Sequence, residues 1–346
     1  MKVLRKKSKE FSKLDNGQID KILKYIRYDI AKRNTCEENF IAFFGGEPSL
    51  VPEVVSQIIE KTRGLDFKYI FCTNGLALDK FPRELLKFMS AILVSVDGEK
   101  ENQEKYRGKG SYDRIIKNVK MLKADFNKPV IGRMTLEEDI NVYRSVIDML
   151  DTFDLVHWQI VGKPKFNFPE KFIANYKAEI AELFKYWYSN FEAGKIVGII
   201  PFQAVTWAML FPEEEAGRPS FRCGNGHDIQ IIDMAGNMYE CDELLGEHEW
   251  IVGNINNGKY PHITYEAHTD IFEDCRVCEI SRICLGRCRR TLKIYEKEQI
   301  RNYCQLTKAL VGLVLKHKKE LAEIARARKY TPHQVYPGPC HTEEIP

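Results

Sequence analysis

The chain has 346 residues, a length that suits two domains or one large one and excludes a mini-protein dependent on cross-links. Hydrophobic residues make up 44% and charged residues 29%, which excludes a disordered or collagen-like chain. Lys+Arg 52 against Asp+Glu 49 leaves a formal charge of +3, without the one-sided basic balance of a nucleic-acid binder. Ten cysteines are too sparse for a disulfide scaffold, so their placement carries the information. The N-terminus MKVLRKKSKEFSK lacks the apolar segment of a signal peptide, and no apolar run approaches a membrane span. A cytoplasmic, reducing location with no membrane partner is therefore expected, and there clustered thiols are read as metal-binding or redox groups.

From about residue 16 to residue 190 strand and helix patterns alternate, as in α/β units with a parallel sheet. Asp15-Asn16 can cap a helix carrying Ile19, Ile22, Leu23, Tyr25 and Ile26 at helical spacing. Asn39 to Phe44 reads as a buried strand ending on Gly45-Gly46, and a helix follows over Pro52 to Thr62. A strand Lys68 to Thr73 ends at Asn74-Gly75, and a helix is predicted from Pro82 to Met89. Strand Ala91 to Val96 ends at Asp97-Gly98, followed by helix Tyr112 to Ala124 and strand Pro129 to Met134. Helix Val142 to Leu150, strand Leu155 to Val161 and a long helix Glu170 to Phe191 complete five strands, each followed by a helix. Three polar or glycine signals, Gly-Gly-Glu-Pro, Thr-Asn-Gly and Ser-x-Asp-Gly, fall at strand ends, where parallel α/β folds place their sites. Each alone also reads as plain turn chemistry, since Gly and Asn supply positive φ after a strand.

The chain changes character after about residue 192, and 193–217 reads as a linker. Cysteines 223, 241, 275, 278, 284, 288 and 304 place seven of the ten in the stretch 218–305, against only Cys36 and Cys72 before it. Within that stretch the periodic structure is a hairpin-like pair, Ile229 to Asp233 and Asn237 to Glu240, turning at Ala235-Gly236. A final helix over 306–330 carries Leu306, Leu310, Leu313, Val314 and Leu321, and the tail 331–346 reads as disordered. Cys275-x2-Cys278-x5-Cys284-x3-Cys288, with Cys304 beyond, suits an iron–sulfur cluster or tetrahedral zinc; reactive or structural thiols are the remaining reading. Arg276, Arg282, Arg287, Arg289 and Arg290 interleave with these ligands and either offset a negative cluster or form a solvated face.

These residues resemble the radical SAM enzymes, in the branch with a C-terminal SPASM domain. Phe44-Gly45-Gly46-Glu47-Pro48-Ser49-Leu50 is similar to the family's segment that engages the methionyl amine of S-adenosylmethionine. Phe71-Cys72-Thr73-Asn74-Gly75 resembles the next strand end, and Ser95-Val96-Asp97-Gly98 with Tyr106-Arg107 the one after. Cys223, Gly236, Cys241 and the 275, 278, 284, 288, 304 series reproduce the seven-cysteine SPASM pattern.

The resemblance implies an α/β fold: a partial parallel (βα) barrel of the radical SAM type over 1–192, lacking its first strand, then a SPASM domain over 218–305 and a C-terminal helix. It implies S-adenosylmethionine held by Gly45, Gly46, Glu47, Pro48, Asn74, Ser95 and Asp97. It implies two auxiliary [4Fe-4S] clusters, one on Cys223, Cys241 and Cys288, the other on Cys275, Cys278, Cys284 and Cys304. The first then has three protein ligands, its fourth place taken by substrate, a thiol or water, or by Cys340. The family's Cys-x3-Cys-x2-Cys motif is absent from this chain, where Cys36 stands alone before Gly45. A third, SAM-cleaving [4Fe-4S] cluster is thus expected only in a longer form that includes the first strand and its loop, and this chain alone is not expected to cleave S-adenosylmethionine.

The implied activity of that form is modification of a peptide or protein side chain by hydrogen abstraction with a 5′-deoxyadenosyl radical, supplied with electrons by a reductant such as ferredoxin or flavodoxin. No catalytic residue is assigned. Two other readings stay open: a non-catalytic iron–sulfur module for electron transfer or peptide binding, and a zinc-held scaffold. His157-Trp158-Gln159 at the last strand end is read either as part of the family pattern or as a satisfied polar group beside a core tryptophan.

Overall fold

The computed structural model describes residues 16–33, 39–163, 168–215, 222–223, 229–258, 272–338 and 345–346. In chain order the first elements are α1 (Asn16–Arg33), β1 (Asn39–Phe43), α2 (Pro52–Thr62), β2 (Phe67–Thr73), α3 (Arg83–Leu86) and β3 (Met89–Ser95). Next come α4 (Lys100–Arg107), α5 (Ser111–Lys123), β4 (Val130–Leu136), α6 (Val142–Leu150), β5 (Leu155–Ile160), α7 (Glu170–Glu192) and α8 (Ile200–Leu210). The cysteine-rich half holds β6 (Ile231–Ile232), β7 (Asn237–Tyr239), β8 (Ile251–Asn254), α9 (Ser281–Cys284), α10 (Arg289–Ile294), α11 (Lys297–Lys316), α12 (Lys318–Arg328) and α13 (Pro332–Val335).

The first five strands form one sheet in the order β1-β2-β3-β4-β5, and β1 with β2 and β4 with β5 pair in parallel. All five strands and the helices α2, α6 and α7 fall where the hydrophobic pattern places them. Met89 belongs to β3 rather than to the preceding helix. That helix closes early, when the Lys87 and Phe88 N–H groups bond to the Arg83 and Leu85 carbonyls, and the chain extends with Met89 fully buried. Helix α4 has no apolar stripe for sequence periodicity to find, and its one buried side chain is Gln103. The Gln103 Oε1 accepts the Asp97 N–H at 2.8 Å and its Nε2 donates to Ser111 Oγ at 3.1 Å, so α4 is held by hydrogen bonds.

The stretch 193–217, read as a linker, contains a helix of the core. Residues Ile200 to Met209 are all buried, so α8 is apolar on every side and carries no amphipathic signature. Just before it Val156 N–H donates to Gly198 O at 2.7 Å, which adds a bridge beyond the β5 edge. The residues predicted as one terminal helix are two, α11 and α12, separated at His317, with Leu306, Leu310, Val314 and Leu321 fully buried. The tail expected to be disordered is ordered over 331–338. Thr331 and Gln334 form a capping box on α13, Val335 and Tyr336 are buried, and Gln203 Nε2 donates to Val335 O at 3.0 Å. Residues 339–344, which include Cys340, lie outside the described residues, as does Cys36.

The chain groups into two compact units that do not follow the expected linear order of domains. One comprises Met1–Thr73, Lys80–Ile92 and Gly224–Tyr265; the other comprises Asn74–Asp79, Leu93–Cys223 and Glu266–Pro346. In the first, α1 lays the apolar face predicted for it on the antiparallel β6-β7-β8 sheet, where Tyr25, Met238 and Ile255 form a buried cluster with Ile22, Ile26, Ile232 and Val252 around it. The predicted hairpin is present, with Asp233 Oδ1 accepting the Ala235 and Asn237 N–H groups across a turn closed by Gly236 at φ 80°. In the second, α7, α8 and α11 build an aromatic core in which Phe184 and Trp187 both face Phe202. Among the described residues no helix is long and apolar enough to cross a membrane.

At Gly198 a Cβ would lie 2.1 Å from the backbone oxygen of Asp154, which cannot rotate away. Gly198→Ala should destabilise the protein by about 2 to 3 kcal/mol, read as a lower urea midpoint. Gly64→Ala, where a Cβ meets nothing within 4 Å, should shift it little.

Candidate functional site

In the first unit β1 ends on Phe43, and the backbone turns through Gly45 at φ 81° and Gly46 at φ 55°, a left-handed pair that side-chain-bearing residues avoid. A Cβ on Gly45 would touch the Leu245 side chain at 3.4 Å, whereas one on Gly46 would meet nothing within 4 Å. The loop backbone at Gly46 is therefore open to a ligand. Glu47 follows in extended conformation, and its Oε1 accepts from Ser49 N at 3.2 Å, Ser49 Oγ at 2.6 Å and Thr73 Oγ1 at 2.6 Å. Thr73 sits at the end of β2, so the neighbouring strand end fixes the carboxylate that the family resemblance singles out. Pro48 begins the short 3-10 turn that carries the Ser49 donor. Ser49 and Thr73 were not among the expected site residues; their hydroxyls have meaning only once β1 and β2 lie side by side.

In the second unit, Asn74 Oδ1 accepts the Leu76 N–H at 2.9 Å and shapes the turn after β2. Gly75 has φ 76°, a Cβ on it would lie 2.9 Å from Val94, and its carbonyl accepts from Asn118 Nδ2 at 2.9 Å. Ser95 is half-buried at the end of β3. Asp97 is almost completely buried, and its carboxylate accepts three hydrogen bonds from two residues. Arg107 Nε donates to Oδ2 at 2.5 Å, while Arg107 Nη2 at 3.0 Å and the Thr135 N–H at 2.9 Å donate to Oδ1. Asp97 thus ties the β3 end to α4 and β4, and it shapes the strand-end loop from within. Trp158 is core, with Nε1 donating to Tyr176 Oη at 3.4 Å, and His157 is buried within β5.

The cysteines of the second unit draw together from separate elements. Cys275 lies in the 3-10 turn 273–277, Cys278 just after it, Cys284 at the end of α9, and Cys304 in α11. The thiols of 275, 278, 284, 288 and 304 are not in disulfides. Burial pushes the Cys275 thiol up to about 12, with Cys304, Cys284 and Cys278 adding to the shift. That trio and Cys275 are the four cysteines which the resemblance assigns to one cluster. Burial also raises Cys304, with Cys284 and Cys278 adding to it, opposed by Arg287 and Arg222. Cys275 belongs to a buried patch with Phe272, Tyr295 and Ile300, against which Cys304 packs.

Arg222 is buried, and its Nη1 donates to Cys284 Sγ at 3.5 Å and Gly286 O at 3.2 Å. Burial and then Arg287 lower the Arg222 pKa, while Cys284, Cys288 and Cys223 raise it, so these three thiols share one cation. Cys223 itself has φ 59°, and Cys288 Sγ lies 3.0 Å from Thr291 Oγ1. Cys241 is in the first unit, just before the 3-10 turn Asp242–Leu244, with its Sγ 3.7 Å from Asp242 Oδ1.

The donor set is all-thiol, backed by guanidinium, which suits iron–sulfur ligation. Among the described residues no three His, Cys, Asp or Glu side chains close round a single point as the shell of one metal ion. A zinc ion, with Zn–S of about 2.3 Å, holds its thiolates within roughly 4 Å of each other.

This strand-end loop and thiol group coincide with a match to known proteins. Residues 6–142 match the model of the radical SAM superfamily, and the chain carries a radical SAM domain. It is homologous to two proteins of Clostridium perfringens strains named cysteine-type anaerobic sulfatase-maturating enzyme. One is 24% identical over 305 residues, which cover 76% of this chain and 78% of that protein. The other is 23% identical over 301 residues with the same coverage. The fold is that of a solved structure of native anSMEcpe with bound AdoMet, which it matches with TM-score 0.66 at 20% identity, over 90% of each chain. A structure of the same protein with AdoMet and the peptide Cp18Cys gives TM-score 0.64 at 20% identity, over 90% of this chain and 91% of that one.

Because Cys275 titrates near 12, it is a neutral thiol at pH 7 in the metal-free chain, and metal binding must expel its proton. Metal uptake should therefore strengthen as pH rises from 6.5 to 8.5, with protons released into a weakly buffered solution on loading. In the metal-free protein Cys275 should be among the slowest cysteines to alkylate at pH 8, measured by mass spectrometry of iodoacetamide-treated peptides.

Proposed function

We propose that this is a radical SAM/SPASM protein whose activity is the modification of a peptide or protein side chain. The observation that carries the reading is the clustering of Cys275, Cys278, Cys284 and Cys304, close enough to act on one another's charge, with Arg222 and Arg287 beside them. The strand-end loop at Gly45 and Gly46 supports it, as do relatives named for maturing sulfatases at cysteine and a neighbour solved with a bound peptide. A peptide cysteine is accordingly the first substrate class to test.

Cys275, Cys278, Cys284 and Cys304 would hold one auxiliary [4Fe-4S] cluster, and Cys223, Cys241 and Cys288 would serve a second. When bound, S-adenosylmethionine and the clusters supply radical hydrogen-atom abstraction and electron transfer. The residues of this chain bind, orient and shield. Gly46 lets a ligand approach the main chain, since no Cβ intervenes. Glu47, its Oε1 anchored by Ser49 and Thr73, would present a fixed negative charge to the methionyl amine. Pro48 stiffens the turn that carries Ser49. Ser95 with Asp97 would line the ribose side, Asp97 serving there as a positioning residue through its fork with Arg107, and Asn74 would bind the cofactor from the preceding strand end. Residues 1–346 contain no Cys-x3-Cys-x2-Cys, so none of them is assigned to a SAM-cleaving cluster.

Anaerobic reconstitution with iron and sulfide tests the proposal. About eight iron per chain are expected, and Cys275→Ala should lower that by about four. A version extended upstream to include a Cys-x3-Cys-x2-Cys should release 5′-deoxyadenosine from S-adenosylmethionine. One or two zinc with no iron, or an extended version that makes no 5′-deoxyadenosine, would overturn it.

A further inference from the structure

Arg222 is buried and Arg287 half-buried, and both guanidinium groups reach the same acceptor oxygen. Among the described residues no Asp or Glu side chain pairs with either. Main-chain oxygens at the end of the chain stand in that place. Arg222 Nη2 donates to Pro346 O at 3.1 Å and also to Ile345 O. Arg287 Nη1 donates to Pro346 O at 3.3 Å and to Thr307 Oγ1 at 2.9 Å. The Thr307 hydroxyl lies 3.2 Å from Pro346 O and 3.3 Å from Tyr303 O, sharing its proton between them. One oxygen of Pro346 is therefore met by Arg222, by Arg287 and by Thr307 on α11. Ile345 is 1% exposed, so an apolar anchor accompanies the polar one. The opposite arm of Arg222 reaches Cys284, so a single guanidinium bridges the docked segment and a candidate cluster ligand.

We infer that Arg222, Arg287 and Thr307 form a peptide-oxygen binding site whose resident ligand is the chain's own Ile345–Pro346 segment, and that the docked segment seals the Cys284 side of the metal pocket from solvent. The chemistry is that of charge-assisted hydrogen bonds from forked donors to a main-chain oxygen, strengthened by burial. The second half of the inference rests on the iron–sulfur reading above, while the docking itself does not.

The test removes residues 345 and 346 from the chain and offers them back in trans. A fluorescently labelled peptide of residues 341–346, chosen to omit the Cys340 thiol, should bind the metal-free truncated chain at least tenfold more tightly than the full chain by fluorescence anisotropy. Equal binding to both chains, or to neither, would sink the docking site. After anaerobic loading with iron and sulfide, the truncated chain should lose iron to a ferrous chelator several-fold faster than the full chain, and added peptide should slow that loss. Equal rates would overturn the sealing role. Should the truncated chain fail to fold, Thr307→Val in the full chain removes one donor to Pro346 at nearly constant volume. It should speed iron loss two- to fivefold, and an unchanged rate would overturn the inference. If no chain takes up iron, the iron–sulfur reading fails, and the anisotropy result still decides the docking.

Discussion

Drawing several thiols together in a partly buried setting is a charge problem, and the cysteine-bearing part of the second unit is organised around it. Burial disfavours the thiolate and each neighbouring sulfur makes the next harder to ionise, which together hold the Cys275 thiol far above its ordinary range. The counter-charge comes from two arginines that each directly precede a cysteine, Arg222 before Cys223 and Arg287 before Cys288. That spacing sets a guanidinium beside the thiols without competing for the metal. Burying Arg222 beside a half-buried Arg287 creates a second demand, for oxygen acceptors, to which Gly286, Thr307 and the Ile345–Pro346 segment respond. The pocket, its cations and the end of the chain thus form one network, consistent with buried charge being tolerated only where it is answered.

The same unit ties this network to the sheet. Tyr303, one residue before Cys304 on α11, donates from Oη to Val161 O at 2.6 Å, just past the end of β5. Arg287 stacks over the Tyr303 ring at 5.2 Å. A helix carrying a candidate ligand is therefore pinned at a strand's carboxyl end, the region where parallel α/β folds concentrate their chemistry. In the first unit the equivalent economy is Glu47, oriented by a hydroxyl from the adjacent strand and one from its own turn.

Much of this was readable in the residues. The five strands, the glycine-rich turn and the cysteine set were legible because alternation, positive-φ glycines and soft-ligand spacing are local signals. Helix α8 was not, because an element buried on all sides has no polar face to set a period. Helix α4 was not legible for the opposite reason, being polar nearly all round and held by hydrogen bonds from Gln103 and Arg107 rather than by an apolar stripe. The tail reads as disordered by composition, yet Val335, Tyr336 and Ile345 each find a buried seat that its composition does not reveal. The linear division into a barrel part and a cysteine part also gives way, since 224–265 joins α1 and β1 while 266–346 joins the later strands.

By itself the sequence determined which atoms are available: thiols at fixed spacing, a carboxylate after two glycines, a run of strand–helix units. It could not determine what each side chain would face. Asp97 and Glu47 look alike as acidic residues at strand ends, but Arg107 and a β4 amide meet the first, while Ser49 and Thr73 orient the second beside a main chain that no Cβ shields at Gly46. That Arg222 would join Cys284 to Pro346 spans 62 residues one way and 124 the other. Contacts of that range depend on how helices and strands pack, and only the tertiary structure decides them, because no local pattern encodes the partner of a buried charge.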